Sequence, residues 1–424
     1  MGKIKDIITR TFPASYGYFV LVRNWNWLSI RKAQRRRLRQ IRKKGRARVF
    51  FIISQLAMWR LEEVYQMLKK EERFDVQLIV CPFSTFSPEQ KDLCVKQIIE
   101  HCRKNGLDYV DKSGSENDDD LIERFQPDII FYPQFYETLF LNELDCEKNF
   151  DRLFAYVPYG LPTVSGEWMY NSRLMNIAWK LYFPTPLHLQ YAREHSFNRA
   201  RNMEIVGDAN ASAFSKPTHA YPWKNAEAKR VVWAPHFSIV DDGHLHRASF
   251  LEIHQLMWDF AQQFKNELTF VFKPHPRLLS ELYRHPDWGK ERTDAYYALW
   301  ANGDATQLET GAYVDLLCTS DAMIHDCGSF TAEYLYTAKP VLFVASDFNA
   351  IYRSLDTFGS ICMDLHYHAG NNDDIRAFLL DTVLGGKDPK KADREAFRKQ
   401  YLLPDNSSSF ASNVCRSLTK NLFG

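Results

Sequence analysis

The sequence predicts an α/β protein of two Rossmann-like domains whose parallel sheets face a central cleft. Three observations lead there. At 424 residues the chain is too long for one ordinary core, and two domains of roughly 150–200 residues fit it. Short apolar runs alternate with segments of helical spacing, the pattern of βαβ units and a mostly parallel sheet. That alternation stops at a polar stretch and then starts again. The composition is globular, with 45% hydrophobic and 25% charged residues.

Taken in order, residues 48–208 form the first domain. Val49 to Ser54 reads as a buried strand, Leu56 to Lys70 as a helix and Val76 to Phe83 as a strand. Ser87-Pro88-Glu89-Gln90 is a helix start, with an N-cap Ser, Pro in the first turn and Gln at the capping-box position. That helix should end near Gly106. Asp118-Asp119-Asp120 opens the next helix and is no metal site. Strands follow at Asp128 to Tyr132, Leu153 to Tyr159 and Glu204 to Val206. Residues 209–228 read as a linker. The second domain, 229–388, restarts with a strand at Arg230 to Ala234, a helix at Ser249 to Lys265 and a strand at Leu268 to Phe272. Later come a strand at Ala322 to His325, a helix at Ser329 to Thr337 and a strand at Val341 to Ala345. Residues 389–424 are helical, and the last helix is expected to pack back across the domains. Two successive doubly wound domains with a cleft between them make the GT-B arrangement.

The net charge of +2 is unevenly placed. Residues 1–48 carry 15 Lys/Arg and one acid, Asp6; the rest carries 39 bases and 51 acids. The aromatic, apolar Tyr16 to Leu28 precedes Arg31 to Arg48, which holds 11 basic residues. Aromatic rings favour a membrane interface and a polybasic stretch is drawn to anionic lipid. Residues 1–47 therefore read as a membrane-associating segment, and residues 16–48 as the contact with an anionic membrane surface. A solvated basic helix and a nucleic-acid arm are the other readings, and the aromatic run argues against the last, so no nucleic-acid partner is expected. No segment has the ~18–20 apolar residues of a membrane span, and the start lacks the apolar region of a secretory signal. Eight cysteines without a C-x-x-C pair suggest neither a zinc site nor a disulfide framework.

Three strands of the second domain end in polar, reactive residues: Trp233-Ala234-Pro235-His236, Phe272-Lys273-Pro274-His275-Pro276-Arg277 and Ile324-His325-Asp326-Cys327-Gly328-Ser329-Phe330-Thr331. In a parallel sheet these ends share one edge, where ligands bind. The third is a strand, a Gly-containing turn and a helix start, which suits a phosphate through backbone N–H groups and the helix dipole. Ser329 and Thr331 add hydroxyls, and Glu333, one turn on, has the reach for a ribose hydroxyl. The plain alternative makes Ser329 an N-cap and Glu333 an ordinary first-turn acid. Lys273 and His275, held by Pro274, would neutralise charge on a leaving diphosphate. There is no D-x-D turn and no Walker loop, so catalysis without an obligatory metal or cofactor is expected.

These stretches resemble the CDP-glycerol glycerophosphotransferase family, which builds teichoic acids and related capsule polymers. The residues that carry the resemblance are Ala234-Pro235-His236, Lys273-Pro274-His275-Pro276, Ser320-Asp321-Ala322-Met323-Ile324-His325-Asp326-Cys327-Gly328-Ser329 and Lys339-Pro340. The resemblance covers about 230–345 well and 48–208 diffusely. It implies a GT-B-like transferase with a CDP-activated donor, a lipid-linked or polymer acceptor, and a cytoplasmic, peripheral place on the inner face of the membrane. With CDP-glycerol, a hydroxyl would attack the β-phosphorus and release CMP. The family's His-Gly-Thr-Pro motif, whose histidine is a candidate base, is missing; the corresponding strand reads Ala155-Tyr156-Val157-Pro158-Tyr159-Gly160. Glu167, Tyr159 and His236 are the remaining candidates for that base. A nucleotide-sugar glycosyltransferase and a catalytically silent assembly subunit are the competing readings.

Overall fold

The computed structural model describes residues 26–113, 121–135, 144, 146, 148–221, 223–225, 227–240, 248–311, 313–404 and 408–424, without the side chains of Glu167 and Trp168. Most of the aromatic segment (16–25) and Asp118-Asp119-Asp120 lie outside the described residues. The chain divides into two compact units. The first comprises 1–160, 166–209 and 408–424; the second comprises 161–165 and 210–407.

The first unit is built on seven strands: β1 (Ala47–Ile53), β2 (Phe74–Val80), β3 (Tyr109–Asp111), β4 (Ile129–Tyr132), β5 (Leu153–Tyr156), β6 (Lys180–Phe183) and β7 (Met203–Ile205). Their order is β3-β2-β1-β4-β5-β6-β7, and every pair is parallel. β1 reads ARVFFII and is buried almost throughout, as a central strand covered on both faces must be. The capping box is present: Ser87 accepts from the Gln90 amide and the Gln90 side chain accepts from Ser87. Gly106, at φ +62, ends that helix, and Leu107 N–H closes on the Cys102 carbonyl at 2.9 Å, a Schellman-type stop that only the left-handed conformation allows.

The basic stretch folds as a helix, Trp27–Lys44, with Ile30, Gln34 and Ile41 buried. Gln34 donates to the Ile177 carbonyl at 2.6 Å. Arg37 and Lys44 pair with the buried Asp128 at 3.4 and 2.9 Å. Lys32, Arg35, Arg36, Arg39 and Lys43 stay exposed on the helix, as does Arg46 just past its end. The same helix is thus partly scaffold and partly a solvated cationic stripe. The final helix, Phe410–Phe423, buries Phe410, Val414, Leu418 and Leu422 in the core of the first unit.

The second unit has six strands: β8 (Lys229–Ala234), β9 (Leu268–Phe272), β10 (Thr306–Leu308), β11 (Ala322–His325), β12 (Val341–Val344) and β13 (Tyr367–Ala369). Their order is β10-β9-β8-β11-β12-β13, again all parallel. Beneath the β8 and β9 ends, Trp233 packs on Phe272 at 4.9 Å and on Trp300 at 5.3 Å between centroids. Such pairs each add about 0.5–1.5 kcal/mol beyond area burial, so the strand ends leave a rigid floor.

Residues 210–228 do not run free as a linker. Phe214 stacks on Tyr336 at 4.5 Å, Tyr221 donates to Glu309 at 2.8 Å and His219 pairs with Asp315 at 2.7 Å. Aromatic residues in a polar stretch, Phe214, Tyr221 and Trp223, were the available sign of packing. Helices Leu278–Arg284 and Gly289–Asn302 fill a span that the sequence pattern left unassigned. All eight cysteines are free thiols. Among the described residues no helix is long and apolar enough to cross a membrane.

Candidate functional site

β9, β8 and β11 are neighbours, so the three polar strand ends emerge side by side at one carboxyl edge. Backbone pairing continues past the strands: Lys273 N–H donates to the Trp233 carbonyl at 2.8 Å, and His275 N–H to the Pro235 carbonyl at 3.0 Å. This registers the His236 and His275 rings 5.1 Å apart. Pro235 is itself buried and serves through its carbonyl.

Asp326 braces the edge. It is 1% exposed, and its carboxylate accepts from His236 N–H at 2.6 Å and from the Ser249 N–H and hydroxyl at 2.7 and 2.8 Å. A buried carboxylate is tolerable with such partners. One motif residue therefore ties β8, β11 and the helix Phe250–Gln263 together. Asp321 does the same at the opposite end of β11, accepting from Arg230 Nε at 2.8 Å. Lys339 donates to the Cys318 and Ser320 carbonyls at 2.6 and 2.5 Å.

His275 faces the crevice. Its Nδ1 accepts the Arg277 N–H at 3.1 Å. Burial, then Arg277 and Lys273, lower its pKa to about 4. The ring is neutral at pH 7, and with Nδ1 accepting, Nε2 carries the proton. His275 is thus a neutral hydrogen-bond donor, not a cation. Positive charge comes from Lys273 and Arg277. Lys273 is 6% exposed, with Nζ 3.2 Å from the Gly311 carbonyl and its pKa lowered by burial. Arg277 lies over the Phe237 ring at 3.9 Å. His236 shares a hydrogen bond with the Ser238 hydroxyl at 2.8 Å.

In the third motif, Gly328 has open space where a Cβ would stand. Ser329 is exposed and makes no capping bond; its hydroxyl lies 3.2 Å from the Cys327 sulfur. Phe330 meets Tyr313 edge-on at 5.5 Å. Thr331 is turned inward, donating to the Cys327 carbonyl at 3.4 Å. Glu333 is 4% exposed and accepts from Asn210 at 3.2 Å and Tyr313 at 2.9 Å. Tyr313 and Ser249 carry no local sequence signal, because both act through distant loops.

His325 is placed apart from His236 and His275. It is 1% exposed. Its Nδ1 accepts the Cys327 N–H at 3.2 Å, and its Nε2 meets His366 Nε2 at 3.1 Å. His366 Nδ1 lies 2.8 Å from the Cys362 carbonyl, to which it donates. Burial, followed by His325, holds His366 neutral, well below the usual imidazole range. His325 Nδ1 also lies 3.1 Å from the Cys327 carbonyl. With neutral His366 donating from Nδ1 to Cys362, its Nε2 accepts, and His325 Nε2 is the donor between the two rings. Glu167 opens the short helix Glu167–Tyr170 of the other unit, and its side chain lies outside the described part. Tyr159 is 43% exposed, also in that unit. Among the described residues no group of three His, Cys, Asp or Glu is placed to hold a metal ion.

Residues 220–358 match the family described as CDP-glycerol:poly(glycerophosphate) glycerophosphotransferase. That segment spans β8 to β12 and holds all three strand-end motifs, so the match bears out both the resemblance and the transferase reading. No curated protein matches the chain in sequence. Among solved structures, the S. aureus MnaA–UDP co-structure is similar at 12% identity, over 89% of this chain and 98% of its own, with a TM-score of 0.59. A putative UDP-N-acetylglucosamine 2-epimerase from Listeria monocytogenes follows at 13% identity, over 88% and 96%, with a TM-score of 0.58. A glycosyltransferase from Rickettsia africae gives 13% identity, over 89% and 99%, with a TM-score of 0.50. At these identities the likeness concerns the fold: two Rossmann-like α/β domains.

Proposed function

We propose that this chain transfers a polyol phosphate from a CDP-activated donor, CDP-glycerol or a close relative, onto a growing surface polymer. The observation that carries the proposal is the convergence of Lys273, His275, His236 and the Gly328–Ser329 turn on three adjacent strand ends, within a segment that matches a glycerophosphotransferase family. In this reading an acceptor hydroxyl attacks the donor's β-phosphorus. A new O–P bond forms and the bond to the bridging oxygen breaks. The electron pair leaves with CMP, and the acceptor proton passes to a base. Lys273 and Arg277 stabilise the charge that develops on the leaving phosphate. Neutral His275 donates through Nε2–H to a phosphate oxygen. The open turn at Gly328 lets the diphosphate approach the backbone, and Glu333, oriented by Asn210 and Tyr313, takes the ribose hydroxyl. His236, its ring fixed by Ser238, is the base assigned here; Glu167 is the alternative.

A second reading keeps the donor site and transfers a sugar from a nucleotide-sugar. It is favoured by Ala155-Tyr156-Val157-Pro158-Tyr159-Gly160, where the family's motif histidine is missing. Thermal shifts with CDP-glycerol, CDP-ribitol and several nucleotide-sugars separate the two. The first reading predicts the largest shift with a CDP-polyol; the largest shift with a nucleotide-sugar selects the second, and no shift with any nucleotide removes both.

We place the protein on an anionic membrane surface, on the cytoplasmic side, with a lipid-linked or polymer acceptor. The support is the stripe of Lys32, Arg35, Arg36, Arg39 and Lys43, spaced to share one helix face, with Arg46 just past the helix end; all six are exposed. Each such cation contributes about 1 kcal/mol near anionic lipid. Replacing the six by Gln spares buried Ile30, Gln34 and Ile41 and should release the protein from phosphatidylglycerol vesicles. Unchanged vesicle binding would move the anchor elsewhere.

A further inference from the structure

At the carboxyl edge of the first sheet lies a second set of polar groups. The order β3-β2-β1-β4-β5-β6-β7 reverses direction between β1 and β4. In open parallel sheets, ligands bind at such a switch point, beyond the carboxyl ends of the strands. The register pairs Phe51 with Phe131. Continued by three residues, it sets Ser54 beside Gln134, just past the two strand ends.

Both residues are buried, at 1% and 5% exposure. Yet among the described residues the Ser54 hydroxyl and the Gln134 Oε1 have no hydrogen-bond partner, and neither does the buried Nε of Arg60 on the loop after β1. Gln134 Nε2 reaches the Met58 sulfur, at 3.8 Å. Turning the amide over would leave the other polar atom there, so the carboxamide is short of partners either way. Neighbouring groups are satisfied: Cys94 donates to the Ser54 carbonyl at 3.0 Å and Trp59 to Glu62 at 3.2 Å. Buried polar groups are nearly always paired. Of the nine buried side-chain atoms without a partner among the described residues, the Ser54 and Gln134 atoms are the two that the register brings together at adjacent strand ends, and Arg60 follows on the loop after β1.

We propose that Ser54, Gln134 and Arg60 bind the phosphorylated polyol end of the acceptor. The chemistry selects that class. A hydroxyl and a carboxamide each both donate and accept, as polyol hydroxyls require, and Arg60 Nε is a donor only, suited to an anion. The proposal rests on the transferase reading for the ligand's role, and on the first unit alone for its place.

The test is a calorimetric titration of the full chain with glycerol 1-phosphate, with and without saturating CDP; glycerol and inorganic phosphate are run as separate arms. Saturable binding is expected, at least tenfold tighter than either fragment. Ser54→Ala and Gln134→Leu should each weaken it at least fivefold and leave CDP binding unchanged. Because Ser54 Oγ has no partner to lose, Ser54→Ala should melt at the same temperature or higher. A lower melting temperature with unchanged affinity would mean a structural water and overturn the site. So would no saturable binding, or phosphate binding as tightly as glycerol 1-phosphate. If CDP fails to bind while glycerol 1-phosphate binds as described, the transferase reading falls and this site stands; the reverse result removes this site and spares the donor reading.

Discussion

The second unit carries two histidine pairs near the same sheet edge, and they differ in what surrounds them. His236 and His275 sit beyond the β8 and β9 ends with rings 5.1 Å apart. His325 and His366 are sealed between β11, β12 and β13, with their Nε2 atoms 3.1 Å apart. Both His275 and His366 are neutral, and burial is the main cause in each. In the buried pair every ring nitrogen is taken up in one chain from Cys327 to Cys362. In the open pair His275 Nδ1 accepts from the Arg277 N–H, which leaves the proton of the neutral ring on Nε2. Lowered basicity thus serves two ends: a rigid brace under the Gly328 turn, and a neutral donor beside two cations.

Substitution separates the two roles most sharply. His325→Ala leaves the Cys327 N–H and His366 Nε2 unpartnered and opens a cavity, at a cost of about 2–3 kcal/mol. His275→Ala removes a half-buried ring with one backbone contact and should cost under about 1 kcal/mol. Urea unfolding of both variants checks this. Equal losses would erase the distinction between brace and donor.

A smaller effect follows from pH. For a histidine held neutral in the fold, the folded pKa lies below the unfolded one. Its stabilising contribution is then complete above the unfolded value of about 6.5 and falls away below it. His366 and His275 both have that sign. The melting temperature should be flat from pH 7.5 to 7 and decline through pH 6 to 5. His366→Phe should flatten part of that decline, and a decline that steepens would contradict a neutral His366.

The sequence made much of this legible, because its strands are short apolar runs that end in Pro, His, Lys or Asp. All three polar strand ends could be read that way, as could the capping box at Ser87. What could not be read was the direction in which each side chain turns. Asp326 and His325 are adjacent in one strand-end motif, yet one ties β8 to a helix and the other enters a buried histidine chain. Alternation along β11 decides this, together with partners 77 and 41 residues away in sequence, Ser249 and His366. Likewise Ser329 looked like an N-cap or a phosphate ligand. Only the backbone, which is already helical at that residue, removes the cap. Tyr313 and Asn210 carry no such signal, because nothing local in the sequence links them to Glu333.

If the strand ends of the second unit form a donor-nucleotide site, Lys273 is its buried cation. Calorimetric titration with CDP-glycerol tests it most directly, comparing the natural chain with Lys273→Met and His275→Ala. Saturable binding near one equivalent is expected, weakened about 100-fold by Lys273→Met and about tenfold by His275→Ala, the order expected for a charged and a neutral donor to phosphate. Absence of binding, or binding that both variants leave untouched, would contradict it.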